Sequence, residues 1–200
     1  MQIDAIRSRP IYPGLAIAPL ARRHIFALEG EGAGALLDIA GSLTPAVLGR
    51  SQILYVARGS LGVGHHGALQ TLGAAFWAAP TVQPLLGRLD VELSRSHMGT
   101  RLYLAGTEGF IGQAMQVAAA HGIDPASVIT EHRGSLARRV QCVHCKGVTE
   151  GVTASPFVCS HCGLSLFVRD HYSRRLGAFQ GVNIDAEEPG AVPPPEELYL

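Results

Sequence analysis

The sequence reads as an α/β protein with a mostly parallel, Rossmann-like sheet followed by a small C-terminal zinc ribbon. Two observations predict this. Over residues 1–136 short β-rich apolar runs alternate with Ala/Leu-rich stretches at helical spacing, the pattern of strands layered with helices. All four cysteines of the 200-residue chain fall into two knuckles, Cys142-Val-His-Cys145 and Cys159-Ser-His-Cys162. A hydrophobic content of 47% over this length fills one sizeable core plus a satellite. Domains are therefore expected at 1–136 and 137–182, with an acidic Pro-rich tail over 183–200.

Strands are expected at 24–28, 52–57, 90–94, 101–105 and 127–132. The helix after Ala105 is written most fully. Thr107 can cap it, Glu108 complements its positive end, Ile111, Met115 and Ala118 repeat on one face, and Gly122 stops it. Asp124-Pro125 turns the chain into the last strand. A shorter helix over 33–43 follows the first strand through Gly30-Glu31-Gly32-Ala33-Gly34. Such a turn can hold a phosphate, because its amides converge where the helix dipole is positive; glycine-rich turns are also simply how chains reverse. Segment 59–67 reads as a mobile connection with His65 and His66 on the surface, ahead of an apolar stretch over 69–86 carrying Phe76 and the only tryptophan, Trp77. The link from 94 to 101 is too short for a helical crossover between parallel strands, which leaves the sheet order open there.

The cysteine pattern has metal-ligand spacing. Two residues between cysteines let a turn aim both thiolates at one ion, and two such turns close a tetrahedral shell around zinc through Cys142, Cys145, Cys159 and Cys162. A full shell leaves no position for a reactive water, so the metal is structural. Iron in the same four thiolates would carry one electron, and Cys159-Ser-His-Cys162-Gly163 also looks like a rubredoxin knuckle, although thirteen residues between Cys145 and Cys159 is short for that arrangement. His144 and His161, inside the knuckles, read as turn residues facing solvent. Disulfides would suit a secreted chain, but Met1-Gln-Ile-Asp-Ala is no basic start to an apolar run, so a cytoplasmic location is expected.

Sixteen basic and sixteen acidic side chains balance to zero, which gives no electrostatic footprint for nucleic acid. No apolar run reaches the roughly 20 residues of a membrane span. Over 169–179, Tyr172, Leu176 and Phe179 fall at i, i+4 and i+7 beside Arg169, Arg174 and Arg175, so a helix is expected there, packed on the core or docked on a partner. Asp170 and His171 have no third group to make an acid–base set. The tail beyond 183 is either disordered or an extended strap, and its apolar Leu198-Tyr-Leu200 end favours a strap.

Two family resemblances follow. Residues 20–134 resemble the nucleotide-binding module of ferredoxin reductases. The glycine turn fits its first loop, Tyr55-Val-Ala-Arg58 sits like the strand whose arginine reaches a ribose phosphate, and Leu102-Tyr-Leu-Ala-Gly106-Thr-Glu-Gly-Phe110 looks like the strand leading into its Cys-Gly-Pro-type loop. The resemblance implies a nucleotide site at Gly30, Gly32, Gly34, Arg58, Gly106 and Thr107, with NADPH as the ligand. Ala105 stands where that family has cysteine and Thr107 where it has proline, and no flavin barrel precedes the module, so a repurposed nucleotide fold is expected.

The C-terminal third, Val140-Gln-Cys142-Val-His-Cys145, Phe157-Val-Cys159-Ser-His-Cys162-Gly163 and the run 166–182, resembles the small subunit of bacterial dimethylamine monooxygenases. This implies a component of a multi-subunit oxidoreductase that demethylates a secondary amine with NADPH and dioxygen. The partners implied are a haem-containing monooxygenase subunit and a reductase subunit with flavin and an iron–sulfur cluster. The chain is then a non-haem accessory subunit. As alternatives, it binds NADPH and takes part in hydride delivery to a partner-held flavin, or carries electrons on four-thiolate iron.

Overall fold

The computed structural model describes residues 8–59 and 64–200, which divide into two compact units, Tyr12–Gly134 and residues 8–11 with Ser135–Leu200. Among the described residues no helix is long and apolar enough to cross a membrane.

The larger unit is built on five parallel strands, β1 (Arg23–Glu29), β2 (Ser51–Val56), β3 (Ala75–Ala79), β4 (Thr100–Gly106) and β5 (Val128–His132), in the order β3-β2-β1-β4-β5. The two central strands are apolar on both faces because helices cover both. Ile25 and Ala27 of β1 join Leu102 and Leu104 of β4 on one face, beneath α4 (Val82–Ser94) and α5 (Glu108–Ala120). Phe26, Leu28 and Tyr103 face the other way, toward α1 (Gly32–Asp38), α2 (Pro45–Leu48) and α3 (His65–Thr71). Both layers are needed to keep the backbone of a parallel sheet out of water.

Residues 90–94, expected as a strand, are instead the last turns of α4. Their polar–apolar alternation imitates a strand over five residues, but Leu85, Leu86, Leu89 and Leu93 are buried at helical spacing. Glu92 is held by Arg88 one turn earlier at 2.7 Å and by Arg23 at the start of β1. The missing strand is β3, inside the apolar stretch 69–86. With β3 in place, α4 is the crossover to β4, and the link over 94–101 only has to turn a corner. The helix expected over 33–43 stops at Asp38 and gives way to a 3-10 turn, Ala40–Ser42. Of segment 59–67, residues 60–63 lie outside the described residues. His65 and His66 begin α3 rather than a mobile connection. The α5 signals hold: Thr107 Oγ1 accepts from the Phe110 amide at 3.4 Å, and Gly122 follows at φ +68.

The smaller unit pairs β6 (Arg138–Cys142) with β7 (Val148–Val152) and β10 (Ser165–Ser173) with β11 (Ala178–Asn183). The two hairpins join through a parallel β6–β11 contact, and β9 (Phe157–Val158) completes the sheet at the β10 edge. Residues 169–179 are therefore a hairpin, not the expected docking helix. Spacing of seven puts Tyr172 and Phe179 on one helical face, and it also places them opposite each other across a short turn, where their rings meet edge-on at 5.1 Å. The decisive signal is the turn at Leu176-Gly177, with Gly177 at φ +56.

The tail is a strap. Its strand β12 (Glu196–Glu197) pairs with β8 (Ala154–Ser155), and Leu198 and Tyr199 both donate to the Thr153 carbonyl at 2.9 Å. Tyr199 then closes over Arg138, whose guanidinium lies 3.9 Å from the Phe179 ring centre and 4.0 Å from that of Tyr199, with Asp170 accepting at 2.7 Å. This is how a small unit buries an arginine.

One buried histidine is left half-satisfied. His24 Nδ1 lies 3.0 Å from the Tyr103 hydroxyl, which also accepts from the Ala18 amide at 3.1 Å, while Nε2 has no partner. Burial, with Arg50 nearby, lowers its pKa from 6.5. The unfolded chain takes this proton near pH 6.5 and the folded chain only below it, so stability falls as pH drops below 6.5. Thermal melts of the larger unit followed by Trp77 fluorescence from pH 7.5 to 5 show this loss, and His24→Gln reduces it. An unchanged pH slope in the variant contradicts the assignment.

Candidate functional sites

Open parallel sheets bind ligands outside the carboxyl ends of their strands, where the strand order reverses. Here that place lies between β1 and β4. The sequence-predicted residues do come together there. Gly30, at φ +51, turns the chain out of β1 with its amide on the Val56 carbonyl at 2.8 Å. Gly32 brings α1 against β4, since a Cβ on it would sit 2.1 Å from the Ala105 carbonyl oxygen. Gly106, at φ +150, begins the loop opposite, and a Cβ there would meet Glu29 Cβ at 2.8 Å. Gly34, in the first turn of α1, is not required to be glycine by packing: a Cβ on it meets nothing within 4 Å.

At the centre of this crevice is Glu29, a residue the motif reading passed over. Its side chain is 1% exposed. One carboxyl oxygen accepts from the Thr107 amide at 3.0 Å and the Thr107 hydroxyl at 2.6 Å; the other accepts from Arg58 Nη1 at 3.1 Å. Arg58 Nη1 also lies 3.4 Å from Thr107 Oγ1. The amide at the α5 N-terminus and the arginine expected to meet a ligand's phosphate are thus both engaged by a carboxyl group of the chain itself. The signal was available in the sequence: Glu29 is the acid that closes the apolar run Ile25-Phe-Ala-Leu28, directly before the glycine turn. Beside this crevice Tyr12 donates to Glu108 at 3.0 Å, and His65 Nε2 lies 3.3 Å from Glu31. Burial, with Glu31 nearby, pushes the Tyr55 hydroxyl up to about 12, so it stays a neutral donor to the Gly30 carbonyl at 3.4 Å.

The four cysteines form the second site. Their sulfurs all lie within 4.8 Å of one another, with Cys142–Cys162 at 3.9 Å and Cys145–Cys159 at 3.8 Å. A tetrahedral ion with metal–sulfur bonds of about 2.3 Å requires sulfurs about 3.8 Å apart, so this set fits a four-thiolate metal and is too open for a disulfide. The knuckles are near copies. Lys146 donates to the Cys142 carbonyl and Gly163 to the Cys159 carbonyl, each at 3.0 Å, and both adopt positive φ, +65 and +75. Cys142 and Cys159 are buried, and Gly147 donates its amide to Cys145 Sγ at 3.4 Å.

Without a cation the thiols work against one another. Burial opposes ionising Cys159, yet the His161 and Cys162 amides and neighbouring thiols bring it down to about 6. For Cys162 the Leu164 amide favours the thiolate, but burial and the three other sulfurs push it up to about 12. A divalent ion resolves this conflict by replacing the protons. His161 is an exposed turn residue, as expected, and it also straps the knuckle: Nε2 contacts the Val148 carbonyl at 2.9 Å, and Gly147 is glycine because a Cβ would meet the His161 ring at 2.4 Å.

Two family models match the chain, one after the other. Residues 4–128 match the family model described as dimethylamine monooxygenase subunit DmmA-like, N-terminal domain, and residues 139–182 match the corresponding C-terminal domain. The heme-dependent oxidative N-demethylase delta subunit of Ectopseudomonas mendocina (strain ymp) is 30% identical over 182 residues, 91% of each chain. Among solved structures, phthalate dioxygenase reductase is 14% identical with a TM-score of 0.48, over 71% of this chain and 46% of that one. An intact type IV self-sufficient cytochrome P450 monooxygenase is 17% identical with a TM-score of 0.46, over 85% and 22%. The chain thus spans less than half of either structure.

The two glycines of the turn separate packing from open surface. Gly32→Ala is expected to destabilise the larger unit by more than about 3 kcal/mol, because its Cβ would collide with backbone. Gly34→Ala, on an open helical position, is expected to be neutral or to stabilise by up to about 1 kcal/mol. Denaturant unfolding followed by Trp77 fluorescence measures both, and equal costs would refute the assignment.

Proposed function

The chain belongs to the DmmA-like family of dimethylamine monooxygenase subunits, and from that premise we propose that it is a non-haem accessory subunit of a multi-component, NADPH- and dioxygen-dependent enzyme that oxidatively demethylates dimethylamine. Haem belongs to one partner and flavin with an iron–sulfur cluster to a reductase partner. This chain supplies a nucleotide-type fold used for docking within the electron-supply assembly, and a zinc ribbon.

Glu29 carries this reading. Hydride delivery requires a nicotinamide nucleotide held at the switch point of the sheet, and the donors of Thr107 and Arg58 that would receive its anionic groups already serve a buried carboxyl group. Ala105 stands where the reductase resemblance has its reacting cysteine. The ribbon supports a structural ion, since four thiolates complete the shell and no acceptor position remains for substrate. Four unpaired thiols also suit a reducing compartment, the cytoplasm.

Reconstitution tests the reading. The isolated chain is expected to be colourless, with one zinc per chain. Added to an enzyme preparation lacking it, the chain restores amine-dependent NADPH oxidation, and Cys142→Ser loses both the zinc and the restoration. An iron-coloured chain that is reduced and reoxidised, or an enzyme fully active without this subunit, would overturn it.

A further inference from the structure

The larger unit contains eight arginines and eight carboxylates, and it sorts them unevenly. Arg23, Arg58, Arg88 and Arg133 each hold a carboxylate. Arg22, Arg50, Arg95 and Arg101 hold none among the described residues. All four of these lie at the amino end of the sheet. Arg22 precedes β1, Arg50 precedes β2 with its Nη2 on the Pro19 carbonyl at 3.3 Å, and Arg101 lies opposite His24 in the β1–β4 register. Arg95 follows α4, whose end is fixed there by Arg23 Nη1 on Ser96 Oγ at 3.3 Å. Four acids, Glu29, Glu31, Glu108 and Glu131, lie at the carboxyl ends, and those toward the amino end are engaged: Glu92 by Arg23 and Arg88, Asp90 by His121, and Asp124 by the Ala126 amide.

Between these arginines stand two apolar side chains with no packing role. Leu20 and Met98 are each 94% exposed. They occupy the tips of two tight turns, Ala18–Ala21 and His97–Thr100, each closed by a hydrogen bond of 3.1 Å. The turns are tied together, because the Arg22 amide donates to the Gly99 carbonyl at 2.8 Å, and the Arg22 side chain covers Gly99. Turn tips ordinarily carry Gly, Asn, Asp or Ser. A single exposed leucine needs no explanation, but two apolar tips joined by backbone and rimmed by unpaired arginines have the make-up of an interface centre.

We propose that this amino-end surface, Leu20 and Met98 rimmed by Arg22, Arg50 and Arg101, docks an acidic face of a partner subunit of the same enzyme. The proposal rests on the subunit reading above. Unpaired arginines complement carboxylates and set orientation, and the two apolar tips exclude water where they seat. The turns are already closed, so little order must be gained on binding. The zero net charge of the chain speaks for a local acidic patch as occupant rather than an extended polyanion.

Two double variants test it, each confined to exposed side chains: Leu20→Ser with Met98→Ser, and Arg22→Glu with Arg50→Glu. The full chain, tagged and co-expressed with the other subunits of its enzyme, is purified at low salt. Both variants are expected to melt as the wild type does and to keep its metal content, while recovery of the other subunits falls by about tenfold or more. Wild-type assembly weakens with added salt, and the charge-reversed variant loses most of that dependence. Full assembly by both variants would overturn the proposal and leave the subunit reading standing; a wild-type chain that captures no subunit would overturn both. Self-association of the wild-type chain in sedimentation, or retention on duplex DNA or anionic vesicles, lost in the variants while assembly is intact, would assign the surface to another occupant and overturn it.

Discussion

A carboxyl group that leaves water at the end of an apolar strand must find donors close by, and Glu29 finds three. The Thr107 amide and hydroxyl and the Arg58 guanidinium surround it. Burying such a group without partners costs several kcal/mol, so the network constrains everything that contributes to it. It joins the ends of β1 and β4 with the residue just beyond β2, and it fixes the cap of α5. It also explains two glycines. Gly106 has no room for a Cβ beside Glu29, and Gly32 lets α1 close down on the same loop. Where sheets of this strand order take a ligand, this one has an internal acid.

The smaller unit solves a different problem. Its apolar clusters are slight, with only Cys142, Cys159 and Leu166 fully buried around the knuckles. A unit of this size needs a covalent or coordinate staple, and the four sulfurs fit one. The rest is held by unusual contacts for so small a core: the sandwiched Arg138, the His161 ring packed on Gly147, and a C-terminal strap that ends with the Leu200 carbonyl accepting from Leu136 at 3.1 Å. In both units the main buried charged groups, Glu29 and Arg138, are received by a backbone amide, ring faces or opposite charge, whereas His24 Nε2 is left without a partner.

Much of this was legible in the sequence. The α5 cap, the β1, β2, β4 and β5 strands and the knuckles follow from local rules, since caps, glycine stops and cysteine spacing act over a few residues. The failures share a cause. Residues 90–94 and 169–179 each contain too few residues to separate a period of 2 from one of 3.6, and long-range burial decided both. Glu29 was missed because a motif search looks for glycines and cations around a ligand, whereas the residue that joins Thr107 to Arg58 is an acid. The amino-end arginines were invisible for another reason. A net charge of zero conceals an asymmetry that only the folded strands create.

The central claim is that the Glu29 carboxyl group fills the crevice that a nucleotide would otherwise enter. Calorimetric titration of the zinc-loaded chain with NADPH, run beside the Glu29→Gly variant and the Glu29→Gly, Arg58→Ala pair, tests it most directly. The account predicts no saturable binding to the wild type at millimolar NADPH, measurable binding once Glu29 is removed, and loss of that binding when Arg58 is removed as well. Saturable binding by the wild-type chain that Arg58→Ala abolishes and Glu29→Gly leaves unchanged would contradict it.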